Sequence, residues 1–226
     1  ITRDEGKTWK DVTPSNIPEW SMVNSIDQSP HDPSTAYMAA TRYKLDDFKP
    51  YLYKTTNYGK SWKLITTGIA KDAYTRVVRE DPTRKGLLYA GTETGLYISF
   101  DDGKNWKPFQ LNLPIVPITD LLVKEKDLVV ATQGRAFWVL DDLTPLYQLS
   151  RKVSGAKEHL FDPRDTYRLP GGGGWGGPSP NSGANPPNGV MTFFTLSEEL
   201  GEDGEFTLEY LESDGDVIKT FTNKKD

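Results

Sequence analysis

Three acids in this 226-residue chain stand where carboxylate chemistry could be organised. Asp46 and Asp47 lie in the run YKLDDFKP, Tyr43–Pro50, and Glu93 lies in GTETG. Hydrolysis of a glycosidic bond needs two carboxyl groups about 5–10 Å apart, flanking the bond. Other residues are suited to gripping a ligand: Trp20, Arg42, Tyr43, Lys44, Phe48, Tyr74 and Arg135. A second acidic stretch, SFDDGKNWK at Ser99–Lys107, looks just as reactive. Metal chemistry has little support. The chain has no cysteine, and its two histidines, His31 and His159, fall in different elements. That is too few donors for a zinc site, and His31 reads as an exposed turn residue.

The SFDDGKNWK stretch repeats. TRDEGKTW (Thr2–Trp9), TTNYGKSW (Thr55–Trp62) and SFDDGKNW (Ser99–Trp106) share one pattern: hydroxyl, any, Asp or Asn, any, Gly, Lys, small polar, Trp. Gly6, Gly59 and Gly103 are 53 and 44 residues apart, a spacing that suits one propeller blade each. Each element has a structural use. Asp4, Asn57 and Asp101 can accept amide hydrogen bonds within a turn. The glycines can take positive φ, and Trp9, Trp62 and Trp106 can pack back over the turn. A catalytic acid has no reason to recur, once as the non-ionising Asn57. The motif therefore reads as a strand connection.

What precedes the motif repeats as well. LLYAGTETGLYISFDD (Leu87–Asp102) and DLVVATQGRAFWVLDD (Asp127–Asp142) align without a gap at an offset of 40, and VLDDL at Val139–Leu143 is a fourth copy lacking the Gly and Trp. In the middle repeat, short aromatic and β-branched segments predict four strands, a to d, over Tyr74–Arg79, Leu87–Gly91, Gly95–Phe100 and Asn105–Phe109. Four antiparallel strands per repeat of this length make a propeller blade. Loop alternation then puts the repeated turns on one face. Trp20, Arg42, Tyr43, Lys44, Asp46, Asp47, Phe48, Tyr74, Glu93 and Arg135 fall on the opposite face, where propellers usually bind ligands.

The expected fold class is all-β. Residues 1–147 hold about three four-stranded blades plus the end of another. Residues 148–189 form a connector with the glycine- and proline-rich run PGGGGWGGPSPNSGANPPNG, in which Trp175 could dock on a neighbour. Residues 190–226 predict three further strands, VMTFFTL, EFTLEYLES and DVIKTFTN, with a hairpin turn at Asp214-Gly215. Because three blades do not close a ring, and Ile1 falls mid-blade, further blades are expected from the same longer chain or another chain. The net charge of −5 and the lack of a basic stripe argue against a nucleic-acid surface. No apolar run approaches the roughly 20 residues of a transmembrane helix.

The three motifs resemble the Asp-box (BNR) repeat of sialidases, xyloglucanase-type glycoside hydrolases and sortilin/Vps10 propellers. The phrases EDPTRKGLLYAGTETGLYISFDDG and LVVATQGRAFWVLDDLTPLYQL resemble a family of large exported bacterial proteins, the sortilin-like or BNR repeat-containing glycosyl hydrolases. The resemblance implies an extracytoplasmic location and a small β-sandwich beginning in the last segment. It leaves two functions open. One is a non-catalytic module binding a protein, peptide or glycan. The other is part of a glycoside hydrolase using Asp46, Asp47 or Glu93. A sialidase would also need a tyrosine nucleophile, an arginine cluster, to which Arg42, Arg76 and Arg135 could belong, and an FRIP-like stretch, which is absent. The binding reading ranks first because no acid pair or arginine constellation stands out. No cofactor is implied.

Overall fold

Runs of alternating β-branched and aromatic residues between turn residues set the strands. The structure, a computed structural model, describes residues 1–167, 189–199, 201 and 204–224. Strands β1 (Met22–Gln28), β2 (Ala36–Arg42), β3 (Asp47–Thr55) and β4 (Lys63–Leu64) form a four-stranded antiparallel sheet in chain order. Strands β5 (Thr75–Glu80), β6 (Leu88–Thr92), β7 (Leu96–Ser99) and β8 (Lys107–Pro108) repeat it, close to the expected segments. Strands β9 (Ile118–Lys124), β10 (Asp127–Thr132) and β11 (Phe137–Leu140) form a third sheet. It has three strands rather than the expected four among the described residues.

The middle sheet is apolar on both faces, so it must be covered twice. Val78, Leu88, Ala90 and Tyr97 pack with Tyr37, Ala39 and Leu52 of the first sheet. The alternate residues Val77, Tyr89, Leu96 and Ile98 pack with Ile118, Leu121, Leu128 and Val130 of the third. Successive repeats stacked face to face in this way are blades of a partial β-propeller. Gly91 allows the close approach of the second and third: a Cβ there would lie 2.6 Å from Ile118 Cγ2.

Arg79 on β5 ties three blades together. Its guanidinium donates to Ser25 Oγ on β1 at 3.0 Å, to the Leu121 carbonyl on β9 at 3.0 Å and to Asp120 at 2.7 Å, with Asp27 of β1 3.7 Å away. Burial raises the pKa of Asp27, opposed by the Glu80 amide and then by Arg79. On the turn side, His31 Nε2 lies 2.7 Å from the Asp81 carbonyl oxygen of the next blade. The expected exposed turn histidine is thus half-buried and engaged between blades.

The repeated motif is the turn between third and fourth strands. Asp101 accepts from the Asn105 amide at 2.8 Å, from Asn105 Nδ2 at 2.7 Å and from Ser99 Oγ at 2.9 Å. Burial pushes this carboxyl up, but those hydrogen bonds outweigh it and hold its pKa below the ordinary value. Asn57 and Asp4 take the same place, accepting from the Ser61 and Thr8 amides. Gly103 has φ +78°, and the residue before the glycine is left-handed in each copy: Glu5, Tyr58 and Asp102. In the fourth copy Asp142 is left-handed too, but Leu143 stands in the glycine's place, fully buried, and α1 (Thr144–Gln148) follows. Asp102 also reaches the first blade, accepting from Tyr37 Oη at 2.6 Å and pairing with Lys54.

The described residues divide into two compact units, the first containing Ile1–Tyr147. The second unit contains α2 (Arg151–Ser154) and two strand pairs. β12 (Glu158–Leu160) pairs with β13 (Phe194–Leu196), and β14 (Thr207–Leu211) pairs with β15 (Val217–Thr222). The last pair turns at Asp214-Gly215, where Gly215 has φ +98°. The first of the three expected strands pairs with Glu158–Leu160, a three-residue segment too short and polar to read as a strand. The glycine- and proline-rich run with Trp175 lies outside the described residues. Among the described residues no helix is long and apolar enough to cross a membrane.

Candidate functional site

The edge of the blades opposite the repeated turns carries the site candidates. Thr75 at the start of β5 is fully buried, and its hydroxyl bonds Tyr51 N at 3.1 Å and Tyr51 O at 3.0 Å on the first blade. That seam holds the preceding residue, Tyr74, against the β2–β3 connection. There a 3-10 turn (Tyr43–Leu45) closes with Asp46 in the left-handed region, its amide bonded to the Tyr43 carbonyl. The result is an aromatic group drawn from two blades. Tyr43 stacks on Tyr74 with centroids 5.1 Å apart and planes 13° from parallel, and Phe48 lies 6.1 Å from Tyr74. The Arg76 guanidinium sits over both tyrosine rings, 5.9 Å and 5.4 Å from their centroids.

Two ion pairs frame the rings. Arg42 Nη1 is 2.8 Å from Asp47 Oδ2, which also accepts from Tyr51 Oη at 2.8 Å. Arg76 Nε donates to Glu93 Oε2 at 2.6 Å, and the Glu93 amide donates to the Tyr74 carbonyl. Burial would raise the Asp47 carboxyl. Hydrogen bonds from Tyr51, the Lys49 amide and Arg42 outweigh that and hold its pKa low. For Arg76, burial works against the charge, but Glu93 prevails and the pKa is raised. Burial, then the Glu93 carboxylate, pushes the Tyr74 phenol up.

Of the residues expected here, Arg42, Tyr43, Asp47, Phe48, Tyr74 and Glu93 come together. Trp20 is 85% exposed with left-handed backbone, and Arg135 is an exposed residue of the β10–β11 loop. Among the described residues, no ring contact or ion pair joins either to the group. Lys44 and Asp46 are exposed on the turn. The sequence reading missed Tyr51 and gave Arg76 only a place in an arginine cluster. Tyr51 falls mid-strand, where its ring reads as core. No group of metal-ligating side chains occurs among the described residues.

This arrangement suits stacking and cation–π contact better than acid–base work. A glycosidic general acid must be protonated near neutrality, whereas Asp47 is held ionised. A tyrosine nucleophile must be accessible and easily ionised, whereas Tyr74 is 5% exposed and its phenol is pushed the other way.

A profile of the BNR/Asp-box repeat matches residues 97–108. No curated protein matches the chain. Among solved structures, the chain is similar to YCF48 bound to D1 peptide, at 21% identity and TM-score 0.46 over 62% of this chain and 43% of that one. It is similar to a GH74 enzyme of Niastella koreensis at 16% identity and TM-score 0.43, over 53% and 21%. It is also similar to the GH74 xyloglucanase of Xanthomonas campestris at 16% identity and TM-score 0.41, over 53% and 22%. The chain spans less than half the length of each. The matched residues are the third of three Asp boxes that the sheets build into blades, and the chain is a partial β-propeller of the BNR/Asp-box type.

Proposed function

We propose that this chain is the ligand-binding part of a non-catalytic, exported propeller of the sortilin-like bacterial kind, holding a peptide or glycan segment against the Tyr43–Tyr74–Phe48 group. The carrying observation is that Asp47 and Glu93 are committed to arginines while aromatic rings remain beside them. Asp47 and Glu93 serve as struts, orienting Arg42 and Arg76. Phe48 and Leu45 are exposed next to Lys44 and Lys49, giving a ligand apolar and cationic contacts at once. In this reading residues 1–147 are the propeller portion, 148–189 the connector and 190–226 the start of a sandwich-like domain that scaffolds a larger assembly. The test is paired. Peptide and glycan arrays probed with the protein should give ligands whose binding is lost in Phe48→Ala and Tyr43→Ala. A panel of aryl glycosides and polysaccharides should remain uncleaved. Turnover abolished by Asp46→Asn, Asp47→Asn or Glu93→Gln would establish the hydrolase reading instead.

A further inference from the structure

In two of the three Asp boxes, the turn glycine and the tryptophan hold one residue of the preceding repeat between them. Val12 is that residue for the second box. A Cβ on Gly59 would lie 2.7 Å from Val12 Cβ, and Trp62 Nε1 donates to the Val12 carbonyl at 2.7 Å. Ile65 is that residue for the third. A Cβ on Gly103 would lie 2.6 Å from Ile65 Cδ1, and Trp106 Nε1 donates to the Ile65 carbonyl at 2.7 Å. The expected packing of these tryptophans over their own turns is thus replaced by a grip on a neighbour. Val12 and Ile65 each stand three residues after the tryptophan of their own box, in WKDV and WKLI. The motif is therefore two-ended: Gly and Trp make a socket, and the β-branched residue three positions on is the plug for the next socket.

The first box has the same socket residues but no plug. Trp9 is 74% exposed against 3% for Trp106, and its indole folds back to donate to its own Gly6 carbonyl at 3.1 Å. The edge strand of the neighbouring sheet is uncovered at the matching place. Ile26, opposite Met38, holds the register place of Val78, opposite Ala90, yet is 67% exposed where Val78 is fully buried. We infer that the Gly6–Trp9 socket is a docking site for a further Asp-box blade, which inserts a valine or isoleucine standing three residues after its own tryptophan. A second copy of this chain does not fit the role. Its Val12 and Ile65 are already seated, and Phe109, three residues after Trp106, is packed into the core between the second and third sheets.

The register supplies a test. Ile1 pairs with Lys10 as Ile98 pairs with Lys107, so the chain from Ile1 continues where the middle repeat continues from Ile98. A tandem protein with a second copy of residues 22–97 joined ahead of Ile1 would place a duplicate Ile65 at Gly6. With 15N-labelled tryptophan, the Trp9 indole N–H should then exchange roughly tenfold or more slowly than in the chain alone, and Ile65→Ala in the added copy only should reverse this. Trp9 exchange unchanged in the tandem, or equally slowed with the alanine, overturns the inference. The chain alone gives an independent reading. Val12→Ala should speed exchange at the Trp62 indole and leave Trp106 unmoved. Continued protection of Trp62 would show that the side chain is no plug. Concentration-dependent protection of Trp9 in the unextended chain would assign the socket to a second copy and refute the blade.

Discussion

Tyr43 and Tyr74 lie ring on ring, 5.1 Å between centroids, although they belong to different blades. Tyr43 is half-buried and Tyr74 buried, so the two rings have different duties. Tyr43→Ala should weaken ligand binding with little loss of stability. Tyr74→Ala should do both, since large-to-small changes at buried aromatics cost about 3–5 kcal/mol. Denaturant titration alongside the binding assay separates the two, and equal stability losses would contradict this division.

Gly91→Ala tests the contact between the second and third blades. The added methyl would press on Ile118 and on Val77 Cγ1 at 2.7 Å. Overpacking of this kind costs about 1–3 kcal/mol. A lowered denaturation midpoint is expected, and Ile118→Val should not restore it, because valine keeps the Cβ and Cγ2 that the methyl meets. An unchanged midpoint would mean the blades can separate there freely.

Arg79→Met should destabilise the propeller by roughly 1–3 kcal/mol, less than a fully buried pair because the side chain keeps some solvent contact. The loss should depend on pH. Without Arg79, the half-buried Asp27 carboxylate is left without its cation. The deficit should be largest near neutrality and shrink as acid protonates Asp27, whose folded pKa is already raised. Urea melts across pH 4–7 would reveal this, and a deficit independent of pH would exclude Asp27 as the cause. Asp27→Asn in the Arg79→Met background should recover part of the loss at neutral pH.

Asp101→Ala removes an acceptor of three hydrogen bonds and should cost about 1–3 kcal/mol. Asp101→Asn should cost much less, because Asn57 already does this work in the second box. The carboxyl's folded pKa lies below its unfolded value. Its contribution is therefore complete above about pH 4 and fades as pH falls through the folded pKa. The asparagine variant should show less acid destabilisation than the wild type. Thermal melts between neutral pH and pH 3 provide the check.

The blades were legible because period and turn chemistry are local. Asp101, Gly103 and the segments before them repeat in the linear text, and each repeat closes its own hydrogen bonds. The face bearing Tyr43, Phe48, Tyr74 and Glu93 followed from loop alternation alone. What joins one blade to the next was not legible. Arg79 reads as the polar member of an alternating strand, and its partners at Ser25, Leu121 and Asp120 are set by stacking that no short window records. The same holds for Val12 and Ile65, which look like ordinary strand residues until the neighbouring turn is laid against them. The partner of the first strand after Gly189, Glu158–Leu160, was not legible either, because pairing partners in short strands depend on chain reversal far away in sequence.

The exchange of glycine for Leu143 in the fourth turn has a consequence for how such an array is written. In the complete turns two left-handed residues in succession send the chain back along its sheet as a fourth strand. With Asp142 alone left-handed, the reversal is half made, and the chain leaves through a short helix while the leucine is buried in the core between the second and third sheets. A single residue thus acts as punctuation. It replaces a fourth strand with a helix, so a single turn position is enough to change how a repeat closes.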